Sequence, residues 1–247
     1  MQKYKFIVCG YMHQNWLPSC LESIDQQVYR DFQVCVVDDA TPDPGFRQWI
    51  KDYCEARGWL YMLNETNMGA MYNQVHAIRM MDPHPEDVLV FVDGDDRLAD
   101  NQVLTYLNEE YADGTRLTYG QYTSEPFSPT CTPSYAYPQE IIDRNDYRLF
   151  ASQGGGLRFN HLRTLKHELF AQCDDTDFKD AEGNWFVTGT DAAIMLPCMK
   201  LARGKIKCLD RVLYVYRSDS PLADWRIRPN ECNSNHWYML NVLRKKV

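Results

Sequence analysis

Residues 86–96 read EDVLVFVDGDD, five β-forming residues at 88–92 followed by carboxylates at 93, 95 and 96. A short, continuously apolar run that stops at a turn reads as a strand buried on both faces. Ending such a strand on Asp93, Asp95 and Asp96 is expensive. Desolvating one unpaired carboxylate costs several kcal/mol or more, and crowding three adds repulsion. Asp does favour turns and first helical turns, but capping a helix near Asp100 needs only one. A cation, or a ligand carrying one, relieves both costs. Oxygen ligands on a short loop suit Mg2+ or Mn2+, which take one or two carboxylates together with substrate phosphates.

The surrounding chain repeats the pattern. KYKFIVCGY (3–11), FQVCVVDDA (32–40) and WLYMLNE (59–65) read as strands. WLPSCLESIDQQV (16–28), GFRQWIKDYCEARG (45–58, closed by Gly58 at C′) and NMGAMYNQVHAIRMM (67–81) carry helical spacing. Strands that alternate with helices and have near-continuous apolar interiors imply a parallel sheet covered on both faces. Ligands of such sheets sit outside the carboxyl ends of the strands. Asp38, Asp39 and the cluster from Asp93 all stand at such ends.

Beyond Leu98 the pattern loosens. A helix over 101–112, a strand over 115–124, a loop over 125–147 and a helix over 161–173 are expected, the last with Leu162, Leu165 and Leu169 on one face. A helix over 188–204 with Pro197 inside, a strand over 206–217 and a closing helix over 231–246 complete the chain. The three glycines of QGGGLRF (153–159) lack a GxGxxG spacing and a preceding βαβ strand, so they read as a flexible loop. Trp185 and Trp225 read by default as packing residues. No internal repeat is visible.

The 247 residues are 45% hydrophobic, enough for one large α/β domain or two small ones. The longest apolar runs are strand-length, and the N-terminus enters a strand without a signal-peptide pattern. These features lead us to expect a soluble cytoplasmic protein without integral membrane contact. Nine cysteines without CxxC pairs, and six histidines without ligand spacing, give no disulfide framework and no zinc site. The net charge of −8 argues against general nucleic-acid binding. LRKKV (243–247) is the one compact basic cluster and reads as a solvated helix end.

Three blocks, CLESIDQQVYRDFQVCVVDDATPD, NETNMGAMYNQVHAI and FVDGDD, stand in an order and spacing that resemble the family-two inverting glycosyltransferases of the GT-A fold. GGGLRFNHLRTLKHELF, DFKDAEGNWFVTGTDAAIMLPCMKLA and LYVYR are similar to later segments of some members, compact and soluble ones that include viral or phage enzymes. The resemblance covers roughly residues 4–220 and departs from the family at two places. Thr190-Asp191 replaces the usual Glu-Asp pair, and Asp219 stands where many members have a metal-binding His.

The resemblance implies an α/β fold, a Rossmann-like, mostly parallel sheet flanked by helices, with a C-terminal acceptor-side subregion. It implies a nucleotide-sugar-binding half (1–100), an acceptor-binding and catalytic-base half (101–225) and a C-terminal helix (226–247). On the donor side it implies Tyr11, Asp38, Asp39, Asn67, Gly69, Asp93 and Asp96. It makes Asp95, Asp93 and Asp219 the ligands of Mn2+ or Mg2+, and Asp191 the base. His161 and Arg163 fall on the acceptor side. The implied partners are a nucleotide sugar, in the family's habit a UDP-sugar, and an acceptor glycan or, less in keeping with the acidic chain, a hydroxylated DNA base. Two other readings compete. A nucleotidyltransferase would show a Gly- and Lys/Arg-rich loop near the first strand, and CGYMHQNW offers none. A catalytically dead GT-A-like domain binding nucleotide or glycan would not need Asp93, Asp95 and Asp191 intact.

Overall fold

A computed structural model describes residues 1–129 and 131–243; the basic tail from 244 onward lies outside the described residues. The strands are β1 (Tyr4–Gly10), β2 (Phe32–Asp38), β3 (Leu60–Leu63), β4 (Val88–Asp93), β5 (Arg97–Leu98), β6 (Leu117–Glu125), β7 (Arg163–Lys166) and β8 (Ile206–Arg217). They form one sheet in the order β3-β2-β1-β4-β7-β6-β8-β5. The helices are α1 (Leu17–Asp25), α2 (Pro44–Glu55), α3 (Ala70–Met81), α4 (Val103–Glu110), α5 (Gln139–Arg144), α6 (Tyr147–Phe150), α7 (His167–Phe170), α8 (Thr190–Ala202), α9 (Asp224–Ile227) and α10 (Pro229–Asn241). None is long and apolar enough to cross a membrane.

From β3 to β4 every pairing is parallel, as the alternation of elements requires. Side chains of a strand alternate between faces, so each strand feeds two cores. Phe6, Val8, Val34, Val36, Val90 and Val92 pack on one side with Leu17, Leu21 and Ile24 of α1. Ile7, Cys35, Val37, Leu89 and Phe91 pack on the other with Met71, Val75 and Ile78 of α3. Each fully buried side chain of this kind contributes about 1.5–3 kcal/mol. Asp43 caps α2, accepting from Gly45 N and Phe46 N, with Pro44 opening the helix. Gly58 adopts φ +67° in the turn after α2, one residue later than expected, because Ala56 is the C-cap.

The second half departs from the sequence reading at 161–173. Instead of one helix, residues 163–166 form β7, antiparallel to both β4 and β6, and only α7 remains helical. The three leucines do not share a face. Leu162 packs in the α1-side core, whereas Leu165 and Leu169 pack in the α3-side core. The slot between two strands supplies a hydrogen-bond ladder on each edge. Thr164 adds side-chain bonds to Tyr111 Oη (2.8 Å) and Thr118 Oγ1 (2.6 Å). A spacing of three and four fits a helix only where no such ladder is waiting. The expected loop over 125–147 contains α5, and the glycine stretch follows α6 through a π-type turn at Ala151–Gly155 that is broken at Gly154, where φ is +90°, before running on as loop. The closing helix is α10, which stops at Asn241 and buries Met239 in the α3-side core.

Candidate active site

The parallel register aligns the strand ends, with Gly10 opposite Asp38 and Cys9 opposite Asp93. Asp38 is buried; it accepts from Thr41 N (2.9 Å) and Tyr61 Oη (3.4 Å). Asp39, also buried, accepts from Asn64 Nδ2 (2.7 Å) and Met68 N (2.8 Å) on Oδ1 and from Gly69 N (2.9 Å) on Oδ2. Asn64 Nδ2 further donates to Asn73 Oδ1 (2.6 Å). The carboxylate therefore shapes the loop that enters α3. Gly69 turns there at φ +83°, a backbone that favours glycine. Asn67 is exposed on that loop and Tyr11 is half-buried just past β1. Neither Asn64 nor Asn73 is among the site residues expected from the sequence, although both lie in the NETNMGAMYNQVHAI block and Asn73 fits the family spacing within it.

The acidic loop rests on the end of β1. Gly94 N donates to Cys9 O at 2.8 Å, and a Cβ at Gly94 would lie 2.8 Å from that oxygen and 3.0 Å from His13 Nδ1. Only glycine fits so close an approach. Asp95 points at His13 Nε2, 3.8 Å away. Asp96 is 2% exposed, accepts from Arg217 N (2.6 Å) on Oδ1 and has no partner on Oδ2. Burial, then Asp95 and Asp93, push its carboxyl well above the usual range, while Arg217 N and the nearby Tyr214 hydroxyl oppose the rise. Asp93 N donates to Tyr214 Oη (3.0 Å). The Asp93 carboxyl is also raised, by desolvation first and then by Asp95 and Asp191, against the lowering effect of Arg163.

His161 does not stand on a helix surface. It stacks on Tyr214 with ring centroids 4.5 Å apart, and its Nδ1 is buried without a partner. Burial, then Arg163, hold its ring well below the ordinary histidine range, so it is neutral. One ligand atom each from Asp93, Asp96 and His161 lies within 4.8 Å of the others. Asp219, by contrast, is largely exposed and pairs with Arg217 Nη1 at 3.8 Å.

Asp191, in the first turn of α8, accepts from Ala192 N (2.9 Å) on Oδ1, while its Oδ2 lies 3.2 Å from Arg163 Nη1. Arg163 Nη2 lies 3.7 Å from Asp93 Oδ2. The loop ahead of α8 is held by α10, where Asn235 Nδ2 donates to Thr188 O (3.2 Å) and Oγ1 (3.0 Å). Asp224 of α9 joins the same field. Burial pushes its carboxyl up to about 6, with Asp93, Glu231 and Asp191 adding to the rise and Arg228 opposing it. Nothing in the sequence singled out Asp224. Trp225 beside it is half-exposed and donates from Nε1 to Tyr216 Oη (3.0 Å), whereas Trp185 packs edge-on against Tyr72 and His76.

This chemistry sits at the strand ends of a chain whose residues 6–169 match the sequence profile described as Glycosyl transferase family 2. The chain belongs to that family. The fold agrees with those of GT-A glycosyltransferases. For S. aureus TarS the TM-score is 0.65 at 17% identity, over 87% of this chain and 37% of that one. For S. aureus TarS 1–349 in complex with UDP-GlcNAc it is 0.61 at 17% identity, over 89% and 59%. For glucosyl-3-phosphoglycerate synthase from Mycobacterium tuberculosis, in complex with Mn2+, UDP and phosphoglyceric acid, it is 0.61 at 12% identity, over 98% and 79%. A curated relative, the teichoic acid poly(glycerol phosphate) polymerase of Staphylococcus epidermidis, is 30% identical over 112 residues. The match takes in 44% of this family-two chain and 15% of the polymerase.

Proposed function

We propose that the protein transfers a sugar from a nucleotide-diphosphate donor, UDP-hexose first among them, to an acceptor hydroxyl with inversion, and that Mn2+ or Mg2+ is required. The observation that carries this reading is the pairing of two features in one cleft. An acidic loop ends β4 with a buried carboxylate oxygen, Asp96 Oδ2, left unpaired, and a further carboxylate, Asp191, faces Asp93 across Arg163. Buried acceptors without a donor are rare unless an ion or ligand completes them. Asp93, Asp96 and neutral His161 form a donor set of oxygens plus imidazole, and Asp95 beside them adds a further oxygen; such a set fits a divalent cation. Support also comes from family membership and from the UDP-GlcNAc, UDP and Mn2+ named for the structural relatives.

In this reading Asp39 recognises the uracil imide, because its Oδ2 accepts one hydrogen bond and keeps a lone pair in reserve. Tyr11, Asp38, Asn67 and Gly69 frame the nucleoside, and Asp93 holds the ribose. The cation, when bound, supplies Lewis-acid stabilisation of the charge developing on the leaving diphosphate. Asp191 accepts the proton of the attacking hydroxyl, and one displacement from the face opposite the leaving group inverts the anomeric carbon. Asp219, exposed and paired with Arg217, would have to leave that pair to serve as a further oxygen ligand. The acidic chain favours a glycan acceptor over a hydroxylated DNA base.

Calorimetric titration of UDP, with and without Mn2+, tests the donor site on wild type and Asp95→Ala. Metal-enhanced binding by wild type alone is expected. Equal binding by both proteins would remove the metal reading. Release of UDP from a panel of UDP-hexoses then tests turnover.

A further inference from the structure

Arg163 sits on β7 opposite Phe91 of β4, with its side chain 7% exposed. Phe91, Ile194 and Met195 supply apolar walls to the small pocket it shares with Asp191 and Gln74. A guanidinium so enclosed is retained only with anions against it. Its two terminal nitrogens face two carboxylates, Asp191 at 3.2 Å and Asp93 at 3.7 Å. The Asp191 carboxylate is thus held from two elements. Its Oδ1 is tied to the backbone of α8 through Ala192 N, and its Oδ2 is tied to the sheet through Arg163. Because the guanidinium is a rigid planar fork, it also sets the distance between the two carboxylates, which a flexible lysine cannot do.

The geometry points to Arg163 as a positioning residue for the transfer step. It orients Asp191 and spaces it from the donor end at Asp93, rather than touching the acceptor. The inference rests on the reading of Asp191 as the base. It also moves Arg163 from the acceptor surface, where the family resemblance put it, to the support of the catalytic carboxylate.

The test is steady-state UDP release from UDP-hexoses in Mn2+, on wild type, Arg163→Gln, Arg163→Lys, Asp191→Asn and the Arg163→Gln/Asp191→Asn double variant, with melting temperatures alongside. Expected for Arg163→Gln is a kcat lowered by about 10- to 100-fold, the usual scale for residues that orient a functional group, with the donor KM unchanged. Arg163→Lys should recover part of the rate. In the Asp191→Asn background the Gln substitution should cost nothing more, since its effect passes through Asp191. Equal losses in both backgrounds would overturn the inference, as would a change confined to the donor KM or a wild-type rate for Arg163→Gln. Should the Gln variant not fold, or the Asp191→Asn rate fall below detection, Arg163→Lys decides: a lowered kcat at wild-type melting temperature supports the role and a wild-type kcat refutes it. A wild-type rate for Asp191→Asn, or a wild-type protein that releases no UDP from any UDP-hexose, would instead strike down the underlying reading, whatever Arg163 does.

Discussion

The Asp39 carboxylate accepts the Gly69 backbone N–H at 2.9 Å, joining the end of β2 to the residue before α3. Two sequence blocks thirty positions apart are thereby one loop system. In the proposed reading, the floor for the nucleoside is in place before any nucleotide arrives, which lowers the ordering cost of binding.

Asp39→Ala would leave Met68 N, Gly69 N and Asn64 Nδ2 without this acceptor. Asn64 Nδ2 keeps Asn73 Oδ1, and the two backbone donors left over are only partly buried, so each costs about 1 kcal/mol, the low end for a lost partner. Urea denaturation should show a loss of about 2 kcal/mol, and UDP binding should vanish. Asp39→Asn keeps one acceptor oxygen and should lose less stability, yet its preference for UDP over GDP should collapse. An unchanged preference would assign uracil recognition elsewhere.

Asp191→Asn should preserve the cleft while abolishing proton acceptance. Transfer is expected to fall by about 10²–10⁴-fold with donor affinity close to wild type. The helix-terminal charge alone is worth only about 0.3–1 kcal/mol of stability. Paired kinetic and melting measurements separate the two roles, because a less stable but fully active variant fits only the helix-terminal one.

Gly94→Ala would drive a Cβ into Cys9 O at 2.8 Å. Forcing an atom into a well-packed site costs about 1–3 kcal/mol. The acidic loop must lift off β1, so Mn2+-dependent UDP binding should weaken together with thermal stability. Full retention of both would mean that the loop is looser than its packing indicates.

Asp224 gives the protein a pH signature. Its carboxyl is raised to about 6 in the folded chain, against about 3.9 in an unfolded one. Between these values the folded form holds a proton that the unfolded form has released. Stability contributed by Asp224 therefore falls as pH rises from about 4 to about 6 and stays lowered above that. Asp224→Asn should melt higher than wild type at pH 7.5 without divalent cation, and the difference should close by pH 4. A pH-independent difference would remove Asp224 from the buried acidic field.

Much of the molecule could be read from the chain alone. The apolar runs, two of them ending on Asp38 and Asp93, identified the four parallel strands and the carboxyl edge of the sheet where acidic residues gather, because a strand buried on both faces needs near-continuous apolar residues. The same local chemistry marked Asp39, Asp95 and Asp96 as a group, while Gly69 entered only through the family resemblance. Asp191 was visible only through resemblance, since an acid at a helix N-terminus has an ordinary structural reason to be there.

What the chain alone left undecided was settled by contacts distant in sequence. Leucines at 162, 165 and 169 fit a helix in isolation, yet 163–166 became a strand because β4 and β6 offer hydrogen-bond ladders on both of its edges. That exchange turned Arg163 inward between Asp93 and Asp191, and set His161 against Asp93 and Asp96. It was also packing of α9 that brought Asp224 into the cleft's electrostatic field. Periodicity reports which face of an element is apolar, and so sequence determined the parallel half and its acidic edge. Which element fills an open slot in a sheet, and which charges then share one cavity, depends on pairing and desolvation across the whole chain, and only the tertiary structure decided those.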